Sequence, residues 1–161
     1  MTEPATLHQR AGDRALSFSR EFDAPVELVF RAHVDAALFP RWIGPAGTSC
    51  RLDRFEATTG GAFDYTVVGG SASFRFFGSY HEVVPNQRIV HTWEFAGDAV
   101  RPTLETLVFV ASPGGRCRLD GRSLYGTVEH CDEMFAFDQT GEGMDENFLR
   151  LDALLRELRS A

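Results

Sequence analysis

Phe22-Asp23-Ala24-Pro25, Val29-Phe30-Arg31-Ala32 and Arg41-Trp42-Ile43-Gly44-Pro45 decide how this chain folds. The run reads as an extended segment that meets a proline-started helix and closes in a rigid Trp-Ile-Gly-Pro corner. Upstream of it, Leu16, Phe18 and Phe22 fall on one side of an alternation whose other side carries Ser17, Ser19 and Glu21. That is the pattern of a half-buried strand beginning near Ala15. Asp23 is placed to cap the helix, Pro25 suits its first turn, and Val26, Val29, Phe30 and Val34 recur at helical spacing. Asp35 to Phe39 reads as a second short helix, ended by Pro40 and the Gly44-Pro45 corner.

Beyond the corner the apolar period switches to two. The spacing predicts strands near Ser49 to Glu56, Ala62 to Val68, Ser73 to Val84, Arg88 to Phe95, Thr103 to Val110 and Arg116 to Tyr125. Gly60-Gly61, Gly69-Gly70-Ser71, Pro85-Asn86-Gln87 and Pro113-Gly114-Gly115 supply turn chemistry between them. A short helix is expected over Glu129 to Phe137. A long one follows from about Gly141, with Met144, Phe148, Leu151, Leu155 and Leu158 forming an apolar stripe. The expected fold is α+β, a curved antiparallel sheet of six to seven strands wrapped around the C-terminal helix, with two short helices after the first strand. Met1 to Arg14 lacks periodicity and reads as a mobile tail, leaving residues 15–161 as one domain.

Composition bounds the function. The chain has 161 residues, enough for one domain with its own core. Its formal charge of −7 disfavours nucleic acid or an anionic membrane as the main partner. No apolar run approaches a membrane span and the N-terminus has no leader-like core, so membrane insertion and secretion are not expected. Cys50, Cys117 and Cys131 are odd in number and widely spaced, which indicates neither a disulfide framework nor a zinc site and fits a reducing cytoplasm. His8, His33, His81, His91 and His130 lack metal-site spacing, and no phosphate-cradling loop or nucleophile elbow occurs. No metal or cofactor is expected.

Hairpin register sorts the side chains between faces. With turns centred near Gly70, Asn86 and Gln87, Ala99 and Gly114, Phe63, Tyr65, Arg75, Phe77, Ser79, His81, His91, Trp93, Glu105, Leu107, Phe109, Leu119 and Ser123 share one face. Asp64, Thr66, Thr92, Glu94, Arg118, Asp120 and Arg122 take the other. The second set is the solvated convex face and the first the concave one. Phe74, Phe76 and Tyr80 then fall awkwardly outward, which calls for a bulge or a homodimer contact. Candidate ligand contacts are Trp42, Phe63, Tyr65, Arg75, Phe77, His81, Trp93, Leu107, Ser123, Met144 and Phe148. His91 and Glu105, diagonal at about 7 Å on neighbouring strands, are the candidate catalytic pair. The competing structural readings are a buried ion pair for His91 and Glu105, a solvent-reaching rim role for Arg75, and plain core packing for the aromatics.

These elements, with Gly60-Gly61-Ala62-Phe63, Gly78-Ser79-Tyr80-His81-Glu82-Val83-Val84-Pro85 and Arg150-Leu151-Asp152-Ala153-Leu154-Leu155, resemble the START-like (SRPBCC, helix-grip) superfamily. Within it they resemble the branch of heat-shock ATPase activator homologues. The resemblance covers Ala15 to Leu158 and implies a cavity between sheet and long helix. Members bind lipids, polyketides and other apolar molecules, and some catalyse polyketide cyclisation or dehydration. It supplies no catalytic motif for this chain. Three function classes follow: a binder of a small apolar molecule, an enzyme of cyclase, dehydratase or hydrolase type using His91 and Glu105, and a stress-related interaction module exposing Phe74, Phe76 and Tyr80.

Overall fold

A computed structural model describes residues 6–97 and 100–161. Eight strands, β1 (Leu7–Gly12), β2 (Ala15–Phe22), β3 (Ser49–Phe55), β4 (Ala62–Gly69), β5 (Ala72–Val84), β6 (Arg88–Phe95), β7 (Thr103–Ser112) and β8 (Arg116–Leu124), form one antiparallel sheet. Its order is β1-β2-β8-β7-β6-β5-β4-β3. The helices are α1 (Val26–Val34), α2 (Val128–Asp138) and α3 (Met144–Ser160), with one 3₁₀ turn at Phe39–Arg41. Because β2 pairs with β8 and β3 lies at the far edge, the α1 connection must run the width of the sheet. The run quoted first is that crossing.

Four expectations need correcting here. The sheet has eight strands where six to seven were expected, because the expected tail holds β1, paired with β2 through Leu7 opposite Ser19 and His8 opposite Phe18. β1 is short and mostly polar, so periodicity could not reveal it. Second, the short helix over Asp35 to Phe39 is the 3₁₀ turn Phe39–Arg41, where Pro40 fits an opening turn. Third, Pro25 is the N-cap of α1 and no side chain caps it; Asp23 instead pairs with Arg159 of α3 at 3.2 Å. Residues 1–5 of the expected tail, and the β6–β7 turn expected at Ala99, include positions outside the described residues.

Fourth, β5 carries its side chains on the opposite faces from those expected. β4 and β5 join through a two-residue turn, Gly69 opposite Ala72, rather than a turn centred on Gly70. Gly70 occupies its first position with φ 60°, as hairpin turns of this length demand. The difference of one residue moves every β5 side chain to the other face. Phe74, Phe76, Gly78 and Tyr80 therefore face inward, opposite Val67, Tyr65 and Phe63 and their neighbours. Arg75, Phe77 and Ser79 face outward. A bulge between Tyr80 and Glu82 absorbs His81, restoring the register toward the β6 turn.

The core lies between the concave face and α3. Leu151 and Phe22 are fully buried, and Phe148 packs edge-on against Phe22 with ring centroids 5.3 Å apart. α3 also holds the corner directly. Arg150 donates to the carbonyls of Ile43 and Gly44 at 3.1 and 2.6 Å, and the Asn147 side-chain oxygen accepts from the Gly44 amide at 2.9 Å. These polar contacts satisfy the corner's backbone groups and fix the helix against one end of the concavity.

Candidate functional site

The concave face is not filled by its own side chains. An inner chamber of about 130 Å³ lies beneath the corner, walled by Trp42, Phe63, Tyr65, Tyr80, His91 and Phe148 among others. A larger cavity of about 1090 Å³ reaches from there toward α2, lined by Phe74, Phe76, Phe95, Ser123, Tyr125 and Phe137 among others. Phe18, Ile43, Trp93, Glu105 and Met144 border both, so the two spaces adjoin. Around the larger one, Phe74, Phe95 and Phe137 remain 42–47% exposed, an apolar rim at its mouth. Asp138, Glu142 and Glu146 outnumber Arg101 among its lining residues and give that mouth an acidic character.

The walls are built from stacked rings. Phe76 stacks on Trp93 with centroids 5.1 Å apart and contacts Tyr65 at 5.3 Å. Trp93 Nε1–H donates to the Tyr65 hydroxyl at 3.2 Å, and Trp42 Nε1–H donates to the Ala32 carbonyl at 2.9 Å. Each indole thus keeps its polar edge satisfied while its face stays apolar. Gly78 sits against the Thr92 carbonyl and beneath the Phe63 ring: a Cβ there would stand 1.9 Å from the Thr92 oxygen and 2.7 Å from Phe63 Cζ, so a side chain would force the backbone of β6 as well as the ring to move.

His91 and Glu105 stand directly opposite one another on β6 and β7, rather than diagonally. Nε2 of His91 lies 3.2 Å from a Glu105 carboxylate oxygen, and its Nδ1 lies 2.8 Å from the Thr92 carbonyl. Burial acts to lower the His91 pKa, but the Glu105 hydrogen bond and charge, aided by the Thr92 carbonyl, outweigh it and hold the imidazole above its ordinary value. Two acceptors on two ring nitrogens favour the doubly protonated ring.

His33 is the opposite case. Burial lowers its pKa to about 4, and its Nδ1–H donates to the Val29 carbonyl at 2.8 Å, leaving a neutral ring between Trp42 and Phe109. Burial also pushes the Tyr65 and Tyr80 phenols above their ordinary range and the Cys50 and Cys117 thiols up to about 11. None of these side chains is an activated nucleophile.

Of the residues named from the sequence, Trp42, Phe63, Tyr65, His91, Trp93, Glu105, Leu107, Met144 and Phe148 line the inner chamber, and Ser123 lines the larger cavity. Arg75, Phe77 and His81 do not. Arg75 lies on the outer face in a bidentate pair with Asp64 at 2.9 and 2.6 Å, with its guanidinium 5.1 Å from the Phe77 ring. His81 is exposed at the bulge. The reading missed Phe18, His33, Phe74, Phe76, Tyr80 and the mouth residues of α2. For β5 the missed signal was available: Phe74, Phe76 and Tyr80 alternate with polar Arg75, Ser79 and His81, and that alternation alone assigns the buried face.

The mouth carries one further polar assembly. His8 of β1 reaches Asp145 at 2.9 Å and Asp138 at 3.6 Å, joining the edge strand to the end of α2 and the start of α3. Burial, with the neighbouring Asp145 and Glu105 charges, raises Asp138 to about 6 against the opposing pull of His8. Among the described residues no helix is long and apolar enough to cross a membrane.

Comparison with known proteins places this geometry. Solved structures with the same fold include a protein from Rhodobacter sphaeroides, 26% identical with a TM-score of 0.86 over 96% of this chain and 99% of that one. Proteins from Mycobacterium smegmatis (19% identical, TM-score 0.83, 97% of this chain and 99% of that one) and Arthrobacter aurescens (24%, 0.82, 95% and 91%) share the fold. No curated protein matches the sequence. The family described as Activator of Hsp90 ATPase homolog 1-like protein matches residues 23–156, and with the helix-grip architecture this establishes that the chain belongs to that family, within the START-like superfamily.

Proposed function

We propose that the protein binds a small, uncharged, apolar molecule in the cavity between the sheet and α3. The observation that carries this reading is the cavity of about 1090 Å³ lined by Phe74, Phe76, Trp93 and Phe95. Its size and aromatic lining are those of a small-molecule site. The acidic mouth and the net charge of −7 favour a neutral ligand over an anion. The three free cysteines, Cys117 and Cys131 buried, suit a reducing compartment such as the cytoplasm.

Binding is favoured over turnover by the state of His91. With one nitrogen facing Thr92 and the other facing Glu105, the ring has no free lone pair to take a proton from a ligand. The interaction reading loses its main support, because Phe76 and Tyr80 face the cavity and Phe74 its mouth. The test is titration with the neutral dye N-phenyl-1-naphthylamine, alongside native mass spectrometry of protein purified from its own host. Saturable dye binding that Ser123→Trp abolishes supports the reading. Absence of saturable binding, or uptake unchanged in Ser123→Trp, would overturn it.

A further inference from the structure

The inner chamber contains a polar group that nothing in the fold uses. Tyr80 is 7% exposed and lines the chamber, yet its hydroxyl has no hydrogen-bond partner among the described residues. The hydroxyl is not sealed from solvent, so its proton is open to an acceptor that enters the chamber. Tyr65, also lining the chamber, accepts the Trp93 Nε1–H at 3.2 Å, which leaves its own proton to be donated elsewhere. Both tyrosine rings pack against Phe63, with centroids 5.9 and 5.4 Å away, so the two side chains share one wall.

The chamber's charges select among possible partners for these donors. The His91 cation is offset by Glu105 at 3.2 Å, so the pair presents no net charge, and an anionic head would meet the Glu105 carboxylate. Burial keeps both phenols protonated, hence donors.

We infer that the inner chamber recognises a neutral carbonyl oxygen, which accepts hydrogen bonds from Tyr80 and Tyr65 while the apolar body of the ligand occupies the larger cavity. This rests on the binding reading above and narrows it from apolar molecules in general to ketones, quinones, esters and similar carbonyl compounds. The 130 Å³ chamber takes only the head of such a molecule, so the carbonyl must be terminal or nearly so.

The experiment compares 2-acetylnaphthalene with its hydrocarbon isostere 2-isopropenylnaphthalene on the full chain. The ketone should bind about tenfold more tightly to the native protein, the span one added hydrogen bond permits. Its carbonyl stretch should move to lower frequency on binding. Tyr80→Phe should reduce the ketone's preference and the frequency shift, and Tyr80→Phe combined with Tyr65→Phe should abolish both. Its melting temperature should be unchanged or higher, since the hydroxyl removed has no protein partner. Equal affinities in the native protein with no frequency shift overturn the inference while leaving the binding reading standing, as does a preference that is undiminished in Tyr80→Phe or that survives loss of both hydroxyls. If neither probe binds, the binding reading falls with it.

Discussion

Arg20 on β2 and Asp152 on α3 meet in a two-pronged ion pair, Nη1 to Oδ1 at 2.8 Å and Nη2 to Oδ2 at 2.6 Å, across the base of the core. The Arg20 side chain is 1% exposed, and its guanidinium also lies over the Phe22 ring at 4.6 Å. Such a pair contributes little net stability over apolar residues of similar volume, but breaking it from one side is costly. Asp152→Ala should therefore lower stability by about 3–5 kcal/mol, and Arg20→Met with Asp152→Leu should recover most of that. Urea denaturation measures both. A loss below about 1 kcal/mol for Asp152→Ala would mean that the guanidinium finds water easily and the pair is peripheral.

Gly121 and Phe18 form a second constraint. They are opposite on β8 and β2, and a Cβ on Gly121 would stand 1.9 Å from the Phe18 ring. Phe18 borders both spaces, so displacing it intrudes on the cavity. Gly121→Ala should cost about 1–3 kcal/mol by overpacking and weaken dye binding. The effect should be non-additive with Phe18→Leu, which makes room for the new methyl. Strict additivity in a double-mutant cycle would show that the strain is relieved elsewhere.

Asp138 makes the mouth acid-stabilised. Its folded-state value of about 6 lies above the ordinary carboxyl value of 3.8, so the native state holds the proton more tightly than the unfolded chain. The stabilisation is fully present below about pH 4 and disappears as pH rises through 6. His8, Asp145 and Glu105 all act on the group, and Asp138→Asn isolates its share. Between pH 4 and 7 the native protein should lose about 1–3 kcal/mol relative to this variant. Chemical denaturation curves for the two that stay parallel across that range would refute the assignment.

His91 acts in the same direction. A histidine held above its ordinary value of 6.5 stabilises the fold below that pH, and this contribution is lost as pH rises through the folded-state pKa. Glu105 is the group that opposes burial here, so Glu105→Gln should drop the His91 titration below 6.5. Nitrogen-15 chemical shifts of the imidazole across pH report it directly. An unmoved titration midpoint would mean that the Thr92 carbonyl alone sustains the cation.

How much of this was legible beforehand depends on where register is decided. β7 and β8 were placed correctly because their turn at Gly114 is symmetric, setting Phe109 opposite Leu119 and Glu105 opposite Ser123. β5 was not, because a one-residue difference at Gly70 inverts a strand and two turn lengths fit the same Gly-Gly-Ser run. The bulge at His81 restores the register near Pro85, so the β5–β6 hairpin carries no trace of the inversion. Met144 and Phe148 are legible from helical spacing and Trp42 from the corner, whereas β1 is too polar to show a period and the Asp138 mouth depends on contacts over more than 130 residues, such as His8 to Asp145.

The inversion of β5 makes neighbouring phenylalanines a sharp test. Phe76 stacks between Tyr65 and Trp93 on the cavity wall, whereas Phe77 lies on the outer face beside Arg75. Phe76→Asn places an amide among aromatic rings and removes a stacking partner, so it should cost about 1–3 kcal/mol and weaken binding of N-phenyl-1-naphthylamine at least tenfold. Phe77→Asn should leave dye affinity unchanged and cost less than about 1 kcal/mol, as for most substitutions outside the core. The reverse pattern would show that β5 carries the other register and that Arg75, rather than Tyr80, reaches the ligand.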